Sequence, residues 1–320
     1  MEQKTLRILF SFDMEDKYIR GIRESVSSVE LEIMKSQDKE KLMELIKDAE
    51  IVFAGRLTPE MFRAGKKLQW VHSSSAGVER LLFPELVVSS VILTNSRGIH
   101  PIQVSEHALG LMLCLVRGLH KLIRFQPGRE WRHVKVDELW GKTIGVIGLG
   151  TIGSEIARKA KALGMTVFAI KKRPGVKPEY VDRLLSPEGL PELLSASDFV
   201  VVIAPLTKET EGMIGERELK LMKPTAYLIN VARGKIVREA DLIRALKEGW
   251  IAGAGLDVFE EEPLPKSSPL WDLENVIITP HMAGSTPYYW ERATALFCEN
   301  LKRFVGGKPL INIVDKRAGY

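Results

Sequence analysis

The sequence predicts an α/β protein of two domains, each built on a doubly wound parallel sheet. Short apolar runs alternate with amphipathic stretches in two successive series, which is the pattern of parallel strands joined by crossover helices. Apolar strands without polar alternation, such as residues 199–204, are typical of a sheet that is covered on both faces. A length of 320 residues suits two domains of ordinary size.

The first series occupies residues 6–93. Its apolar runs predict strands, and its amphipathic stretches, which carry apolar residues at helical spacing, predict helices. The predicted strands are residues 7–12, 30–34, 51–54, 70–72 and 91–93, and the predicted helices are residues 39–47 and 59–64.

The second series follows residues 102–124, whose apolar spacing predicts one long helix. The strands predicted after it are residues 143–148, 166–170, 199–204, 226–231, 253–258 and 276–279, and the helices are residues 152–163, 187–195, 216–222, 239–247 and 287–304. We therefore expect one domain of residues 1–97 with 284–320 and another of residues 98–283, with a cleft between them.

Composition and charge exclude several classes of protein. Hydrophobic residues make up 45% of the chain and charged residues 27%, which rules out a disordered sequence. The net charge of +5 is spread along the chain without a long basic run, so we expect no nucleic-acid partner. The most apolar segment, residues 108–116, is far shorter than the ~20 residues that span a bilayer. The charged N-terminus and two unclustered cysteines favour a cytoplasmic protein without a metal site.

A glycine-rich turn follows the first strand of the second series and reads Gly148-Leu149-Gly150-Thr151-Ile152-Gly153. In this setting Gly148 allows a tight turn, Gly150 lets a pyrophosphate approach the backbone, and Gly153 lets the helix pack closely on the strand. The phosphates would meet the amides at the helix N-terminus. Alone the pattern is weak, but between a strand and a helix it predicts a dinucleotide site in a Rossmann or flavodoxin-like domain.

The end of the next strand indicates which dinucleotide is bound. An acidic residue there would accept a hydrogen bond from the ribose 2′-hydroxyl of NAD. This chain has Lys171, Lys172 and Arg173 instead, and three cations would attract a 2′-phosphate. The sequence therefore favours NADP(H), while NAD(H) stays open as the alternative.

Three later segments end strands of the second series and carry chemically useful side chains. They are Asn230–Gly234, Gly255–Leu264 and Thr279–Gly284. Because parallel strands end at one edge of a sheet, an arginine, a carboxylate and a histidine should meet beside the dinucleotide. An imidazole near neutral pH can supply a proton, a carboxylate can orient it, and a guanidinium can hold a carboxylate or carbonyl group.

With these motifs, the chain resembles the D-isomer-specific 2-hydroxyacid dehydrogenases over essentially its full length. The family's order of Arg, then Glu before Pro, then His after Thr-Pro is matched at Arg233, Glu262 and His281. The resemblance implies that His281 is the acid/base, that Glu262 is its partner, and that Arg233 binds and polarises a 2-oxo acid. Glu260 and Glu261 stay open as alternative partners.

The resemblance also implies further binding residues. Asp257 resembles the residue that meets the nicotinamide carboxamide, Thr151 and Ile152 match pyrophosphate-binding amides, and residues 74–78 resemble a loop that binds the substrate carboxylate. The substrate site is predicted to contain Ser75, Ala76, Gly77, Arg233 and His281, and the cofactor site to include Ala204, Pro205, Val231, Ala232, Arg233, Asp257, His281 and Ala283.

The leading functional prediction is an NADP(H)-dependent reductase of a small 2-oxo acid such as glyoxylate or hydroxypyruvate. A phosphoglycerate dehydrogenase-like enzyme and a dinucleotide-sensing corepressor module remain alternatives. The family resemblance implies a homodimer formed through the dinucleotide-binding domains. Two further roles stay open: Arg56 belongs either to the substrate mouth or to the surface, and Tyr288, Tyr289 and Trp290 either wall the site or pack a helix.

Overall fold

A computed structural model describes residues 5–319 of the chain. These residues form two compact units: the first contains the described residues up to Ile99 and those from Thr286 onward, and the second contains His100–Ser285. The two passages of the chain between units, after residues 99 and 285, lie slightly beyond the boundaries expected after residues 97 and 283. Among the described residues, no helix has both the length and the apolar character needed to cross a membrane.

The first unit is built on five parallel strands in the order β2-β1-β3-β4-β5. The strands are β1 (Thr5–Phe10), β2 (Glu30–Lys35), β3 (Ile51–Ala54), β4 (Trp70–Ser73) and β5 (Ile92–Asn95), and the helices that follow the first four are α1 (Asp16–Ser25), α2 (Lys39–Leu45), α3 (Pro59–Ala64) and α4 (Pro84–Val88). The sequence analysis did not predict α1, a short helix whose buried residues are Ile19 and Ile22.

The second unit is built on seven parallel strands in the order β12-β11-β10-β9-β6-β7-β8. The strands are β6 (Thr143–Ile147), β7 (Thr166–Ile170), β8 (Arg183–Leu185), β9 (Phe199–Val202), β10 (Tyr227–Asn230), β11 (Gly253–Leu256) and β12 (Val276–Ile278). The helices are α5 (Pro101–Val116), α6 (Leu119–Phe125), α7 (Thr151–Ala162), α8 (Leu190–Ala196), α9 (Glu216–Leu221) and α10 (Glu239–Glu248). Both sheets confirm the predicted fold class of doubly wound parallel-sheet domains.

The long helix expected over residues 102–124 is broken in two, and the expectation was wrong on this point. α5 ends at Val116, and Gly118 adopts a left-handed conformation with φ of +64° before α6 begins. Glycine adopts this conformation without steric cost, so the chain can change direction here while its apolar spacing continues. The apolar pattern therefore did not reveal the break.

The C-terminal helix α11 (Tyr289–Val305) completes the first unit. The ring of its Phe297 stacks on Phe53 and on Trp70, with centroids 4.6 and 5.1 Å apart. At the start of the helix, the Trp290 ring stacks on Phe12, just after β1, at 4.8 Å. These aromatic contacts fix the first turn of α11 against the carboxyl-terminal edge of the first sheet.

Candidate active site

The glycine-rich turn between β6 and α7 has the close packing that its sequence predicts. Gly148 has a φ of +109°, and a Cβ added there would lie 2.7 Å from the backbone nitrogen of Ala204. A Cβ on Gly153 would lie 2.1 Å from the carbonyl oxygen of Gly148. A Cβ on Gly150 would meet nothing within 4 Å. Two glycines thus permit tight packing, and the third leaves open space beside the turn.

The N-terminus of α7 offers hydrogen-bond donors to that space. Gly150 is the N-cap of the helix and provides no side-chain cap. Among the described residues, the backbone amides of Thr151, Ile152 and Gly153 have no hydrogen-bond acceptor. Unpaired first-turn amides and the helix dipole favour a bound phosphate. The open space and these donors fit the pyrophosphate of a dinucleotide.

The basic residues after β7 lie next to the glycine-rich turn. The amides of Gly148 and Leu149 both donate to the carbonyl oxygen of Ile170, at 3.1 and 2.9 Å, and Lys171 follows directly. Lys171, Lys172 and Arg173 are all exposed. The Lys172 ammonium is 3.6 Å from the Glu209 carboxylate, which offsets part of the positive charge.

His281 and Glu262 form a hydrogen-bonded pair. Nδ1 of His281 is 2.7 Å from Oε2 of Glu262, while Oε1 of Glu262 accepts the amide of Phe259 at 3.0 Å. The imidazole is 48% exposed and the carboxylate 35%, so solvent reaches both groups. Glu260 instead accepts the amide of Glu239, at 2.9 Å. The carboxylate thus orients the ring through Nδ1 and leaves Nε2 available for proton transfer.

The backbone around His281 is held by Asp257, which is only 1% exposed. His281 has a φ of +50°, an uncommon value for a residue with a side chain. Its amide donates to the carbonyl oxygen of Asp257 at 2.8 Å. The Asp257 carboxylate accepts hydrogen bonds from the Thr279 hydroxyl at 2.6 Å and from the amides of Met282 and Ala283, both at 2.9 Å. Asp257 therefore fixes the histidine loop, and its contact with a nicotinamide carboxamide stays a prediction.

Arg233 lies just beyond β10 in a turn that Asn230 shapes. The Asn230 side chain accepts the amide of Ala232 and donates to the carbonyl oxygen of Arg233, both at 3.1 Å. A Cβ on Gly234 would lie 1.9 Å from the carbonyl carbon of Phe259. The arginine turn and the loop that leads to Glu262 therefore touch through their backbones, and only glycine fits at residue 234.

The loop after β4, residues 74–78, was predicted to bind the substrate carboxylate and lies in the first unit. Ser75 is exposed, and Ala76 and Gly77 are half-buried. The amides of Ala76, Gly77 and Val78 have no acceptor among the described residues. Adjacent unpaired amides form a concave donor surface that suits an anion.

The predicted residues of the second unit cluster at the carboxyl-terminal edge of its sheet. Ala204 and Pro205 follow β9, Val231 and Ala232 follow β10, and Ala283 belongs to the histidine loop. Sequence reasoning gave no role to Asn230, Gly234 or Thr279, although all three lie within the quoted motifs. It left the role of Tyr289 open between lining the site and packing a helix. The Tyr289 hydroxyl donates to the carbonyl oxygen of Ser74. Arg56 is exposed, and only its backbone amide is described in a contact, with Ser11 Oγ at 2.9 Å.

Comparison with known proteins identifies the family. A family model described as D-isomer specific 2-hydroxyacid dehydrogenase, NAD binding domain, matches residues 109–283. The chain is 37% identical over 313 residues to a glyoxylate reductase from Pyrococcus furiosus, with 92% of each chain covered.

Solved structures agree with this match. A D-isomer specific 2-hydroxyacid dehydrogenase family protein from Aeromonas salmonicida has a TM-score of 0.88 at 33% identity, covering 98% of this chain and 100% of that one. An NADPH-dependent glyoxylate/hydroxypyruvate reductase from Sinorhizobium meliloti, in complex with NADP and sulfate, has a TM-score of 0.85 at 28% identity, with 98% and 100% covered. The chain therefore belongs to the D-isomer specific 2-hydroxyacid dehydrogenase family.

Proposed function

We propose that the protein is an NADPH-dependent reductase of small 2-oxo acids, with glyoxylate and hydroxypyruvate as the first substrates to test. The observation that carries the proposal is the His281–Glu262 pair, 2.7 Å apart, at the same sheet edge as Arg233 and the glycine-rich turn. A nicotinamide dinucleotide bound at that turn supplies the hydride. The names of the relatives described above agree with this substrate class.

Each catalytic side chain has a role that its surroundings support. His281 donates a proton from Nε2 to the substrate oxygen as the carbonyl is reduced. Glu262 pairs with the other ring nitrogen, Nδ1, which orients the ring and places a carboxylate beside it. Arg233 holds the 2-oxo acid and polarises its carbonyl group, because a guanidinium can donate two parallel hydrogen bonds. The amides of Ala76 and Gly77 hold the substrate carboxylate.

The preference for NADPH rests on the residues after β7. Lys171, Lys172 and Arg173 place up to three positive charges beside the glycine-rich turn, and no acidic residue stands at the ribose-reading position. A 2′-phosphate gains from these charges, and a 2′-hydroxyl lacks the acceptor that it would need. Glu209 near Lys172 weakens the preference without reversing it.

Exposed apolar side chains on α6 and the segment after it favour a homodimer. They are Leu119, Ile123, Trp131, Val136 and Trp140, of which Trp131 is 94% exposed. Large exposed apolar groups mark interaction sites where they form a patch, and these five belong to one segment of the chain, residues 119–140. We infer that a second copy of the chain covers them, and sedimentation at micromolar concentration should then give twice the chain mass.

The test of the proposed function is a turnover assay with NADPH and NADH against several acids. We expect reduction of glyoxylate or hydroxypyruvate, with a KM for NADPH about tenfold below that for NADH, equivalent to ~1.4 kcal/mol. The variant His281→Ala should lose about 10³-fold in kcat while binding NADPH normally, since the ring transfers a proton and does not hold the dinucleotide.

The same assay separates the alternatives. Turnover of 3-phosphoglycerate with NAD⁺, and none of the small 2-oxo acids, would favour a phosphoglycerate dehydrogenase-like enzyme. Tight NADPH binding without turnover of any acid would favour a dinucleotide-sensing module. Full activity in His281→Ala would overturn the assigned mechanism.

A further inference from the structure

Every carbonyl group at the start of the loop after β4 receives a hydrogen bond from within the first unit. Four consecutive oxygens are held in this way. The bonds run from Ser96 Oγ to Ser73 O at 2.9 Å, from the Tyr289 hydroxyl to Ser74 O, from the Ser96 amide to Ser75 O at 3.2 Å, and from Asn95 Nδ2 to Ala76 O at 2.7 Å. The carbonyl oxygens of Ser74, Ser75 and Ala76 are therefore occupied. The amides of Ala76, Gly77 and Val78 have no acceptor among the described residues.

The planarity of the peptide bond links these two facts. A carbonyl group and the next residue's N–H point in opposite directions across one trans peptide plane. Holding the oxygens of Ser75 and Ala76 on one side therefore turns the N–H groups of Ala76 and Gly77 to the other side. Holding the oxygen of Ser74 fixes the peptide plane immediately before these two. The loop is thus set for an anion before any ligand arrives.

Most of these donors come from the neighbouring strand. Ser96 and Asn95 lie at the end of β5, which pairs with β4, and Ser96 is further held by His72. Nδ1 of His72 is 2.7 Å from the Thr94 hydroxyl, which accepts the Trp70 indole N–H at 2.8 Å. This network is buried and supports the loop from the sheet. It does not reach the Ser74 carbonyl.

The Ser74 carbonyl is held by Tyr289, in the first turn of α11. The Tyr289 ring lies edge-on to Trp290, at 5.2 Å and 87°, and Trp290 in turn stacks on Phe12. Burial raises the pKa of the Tyr289 phenol above its ordinary value, so the hydroxyl stays protonated at any pH where the enzyme works. Tyr289 is therefore a fixed and permanent donor.

We propose that Tyr289 is a positioning residue for the substrate carboxylate: its hydroxyl anchors the Ser74 peptide so that the amides of Ala76 and Gly77 are aligned to bind that carboxylate. This inference rests on the proposed function and assigns it one more residue. Because the carboxylate is bound equally before and during the reaction, the contribution belongs to KM and leaves kcat nearly unchanged.

The test is the kinetic comparison of wild type with Tyr289→Phe, which removes the hydroxyl and keeps the ring packing. We expect the KM for glyoxylate to rise about fivefold, as for the loss of one hydrogen bond, with kcat within about twofold. The dissociation constant for NADPH and the melting temperature should not change. Tyr18→Phe removes a phenolic hydroxyl from α1 in the same unit and should match wild type.

A neutral substrate distinguishes carboxylate positioning from a general structural effect. Glyoxylamide lacks the negative charge, so its KM should be nearly the same in wild type and Tyr289→Phe. An equal rise in KM for glyoxylate and glyoxylamide, a loss confined to kcat, or an unchanged KM for glyoxylate would each overturn the role of Tyr289 and leave the proposed function standing. Absence of glyoxylate and hydroxypyruvate turnover in wild type would instead overturn the proposed function, and this inference with it.

Discussion

Both sheets have a point at which the strand order reverses, which is where such sheets bind ligands. This point is open in the second unit and filled by side chains in the first. In a doubly wound sheet, ligands bind at the carboxyl ends of the strands where the strand order reverses. That point lies between β1 and β3 in the first unit and between β6 and β9 in the second. In the second unit Gly150 leaves open space there, beside unpaired amides at the start of α7.

In the first unit the equivalent position is filled. Ser11 Oγ, after β1, accepts the amides of Gly55 and Arg56 at 3.0 and 2.9 Å, so these donors are already used. The Phe12 ring lies 3.1 Å from where a Cβ of Gly55 would be, and it stacks on Trp290. The amides of Ala76, Gly77 and Val78, which have no acceptor among the described residues, lie one strand further along, after β4. Fold topology therefore offers a site, and local side chains decide whether it is open.

The largest effect in this comparison should come from giving the glycine-rich turn of the second unit a serine, as the first unit has at Ser11. In Gly150→Ser, the new hydroxyl would accept the first-turn amides of α7 and occupy the open space, as Ser11 does in the first unit. We expect the dissociation constant for NADPH to rise at least about tenfold. The free energy of unfolding should stay the same or increase by a few tenths of a kcal/mol, since a serine N-cap is favourable.

Fluorescence titration with NADPH and urea unfolding measure the two effects. Gly21→Ala is the matched control, because a Cβ on that helical glycine also meets nothing within 4 Å. Normal NADPH binding by Gly150→Ser would show that the open space beside the glycine-rich turn is not the pyrophosphate site.

A smaller effect, on the preference between NADPH and NADH, should follow from reversing the charge of Lys171 beside the glycine-rich turn. Lys171→Asp should remove most of the roughly tenfold preference for NADPH over NADH, because the carboxylate repels a 2′-phosphate and can accept a ribose hydroxyl. Lys66→Asp makes the same charge change at an exposed residue of the first unit and should leave the ratio unaltered. The ratio of kcat/KM for the two dinucleotides is the measurement, and an unchanged ratio in Lys171→Asp would remove the basis of the cofactor proposal.

The positions of the main site segments could be predicted from sequence, but some of their contacts could not. The glycine-rich turn and the segments of Arg233 and His281 each follow a strongly apolar strand, so their placement at one sheet edge follows from parallel topology. The contacts of Tyr289 could not be predicted, because it bonds to Ser74, 215 residues earlier in the chain. The end of α5 was missed because a left-handed glycine leaves the apolar pattern unchanged.

The smallest effect concerns His72, which is buried beneath the loop after β4, and the way stability depends on pH. Burial lowers the pKa of His72 to about 3, so the native state keeps this imidazole neutral while the unfolded chain protonates near pH 6.5. The contribution of His72 to the free energy of unfolding is therefore fully present above about pH 6.5. It falls as the pH drops towards 3, by at most ~1.4 kcal/mol per pH unit.

Urea unfolding at several pH values between 7 and 4 measures this dependence. His72→Gln has no titrating ring, and its side chain can still bond to the Thr94 and Ser96 hydroxyls. The variant should therefore lose less stability than wild type over this range. An identical pH dependence in the two proteins would mean that His72 is not kept neutral by the first unit.

The central claim is that the His281–Glu262 pair supplies the proton for 2-oxo acid reduction. The most direct test is kcat for glyoxylate reduction in wild type and Glu262→Gln, measured at one pH. The amide can still accept a hydrogen bond from Nδ1, but it places no negative charge beside the ring that donates the proton. We expect kcat to fall about tenfold or more in Glu262→Gln while the dissociation constant for NADPH stays the same. A kcat equal to that of wild type would contradict this claim.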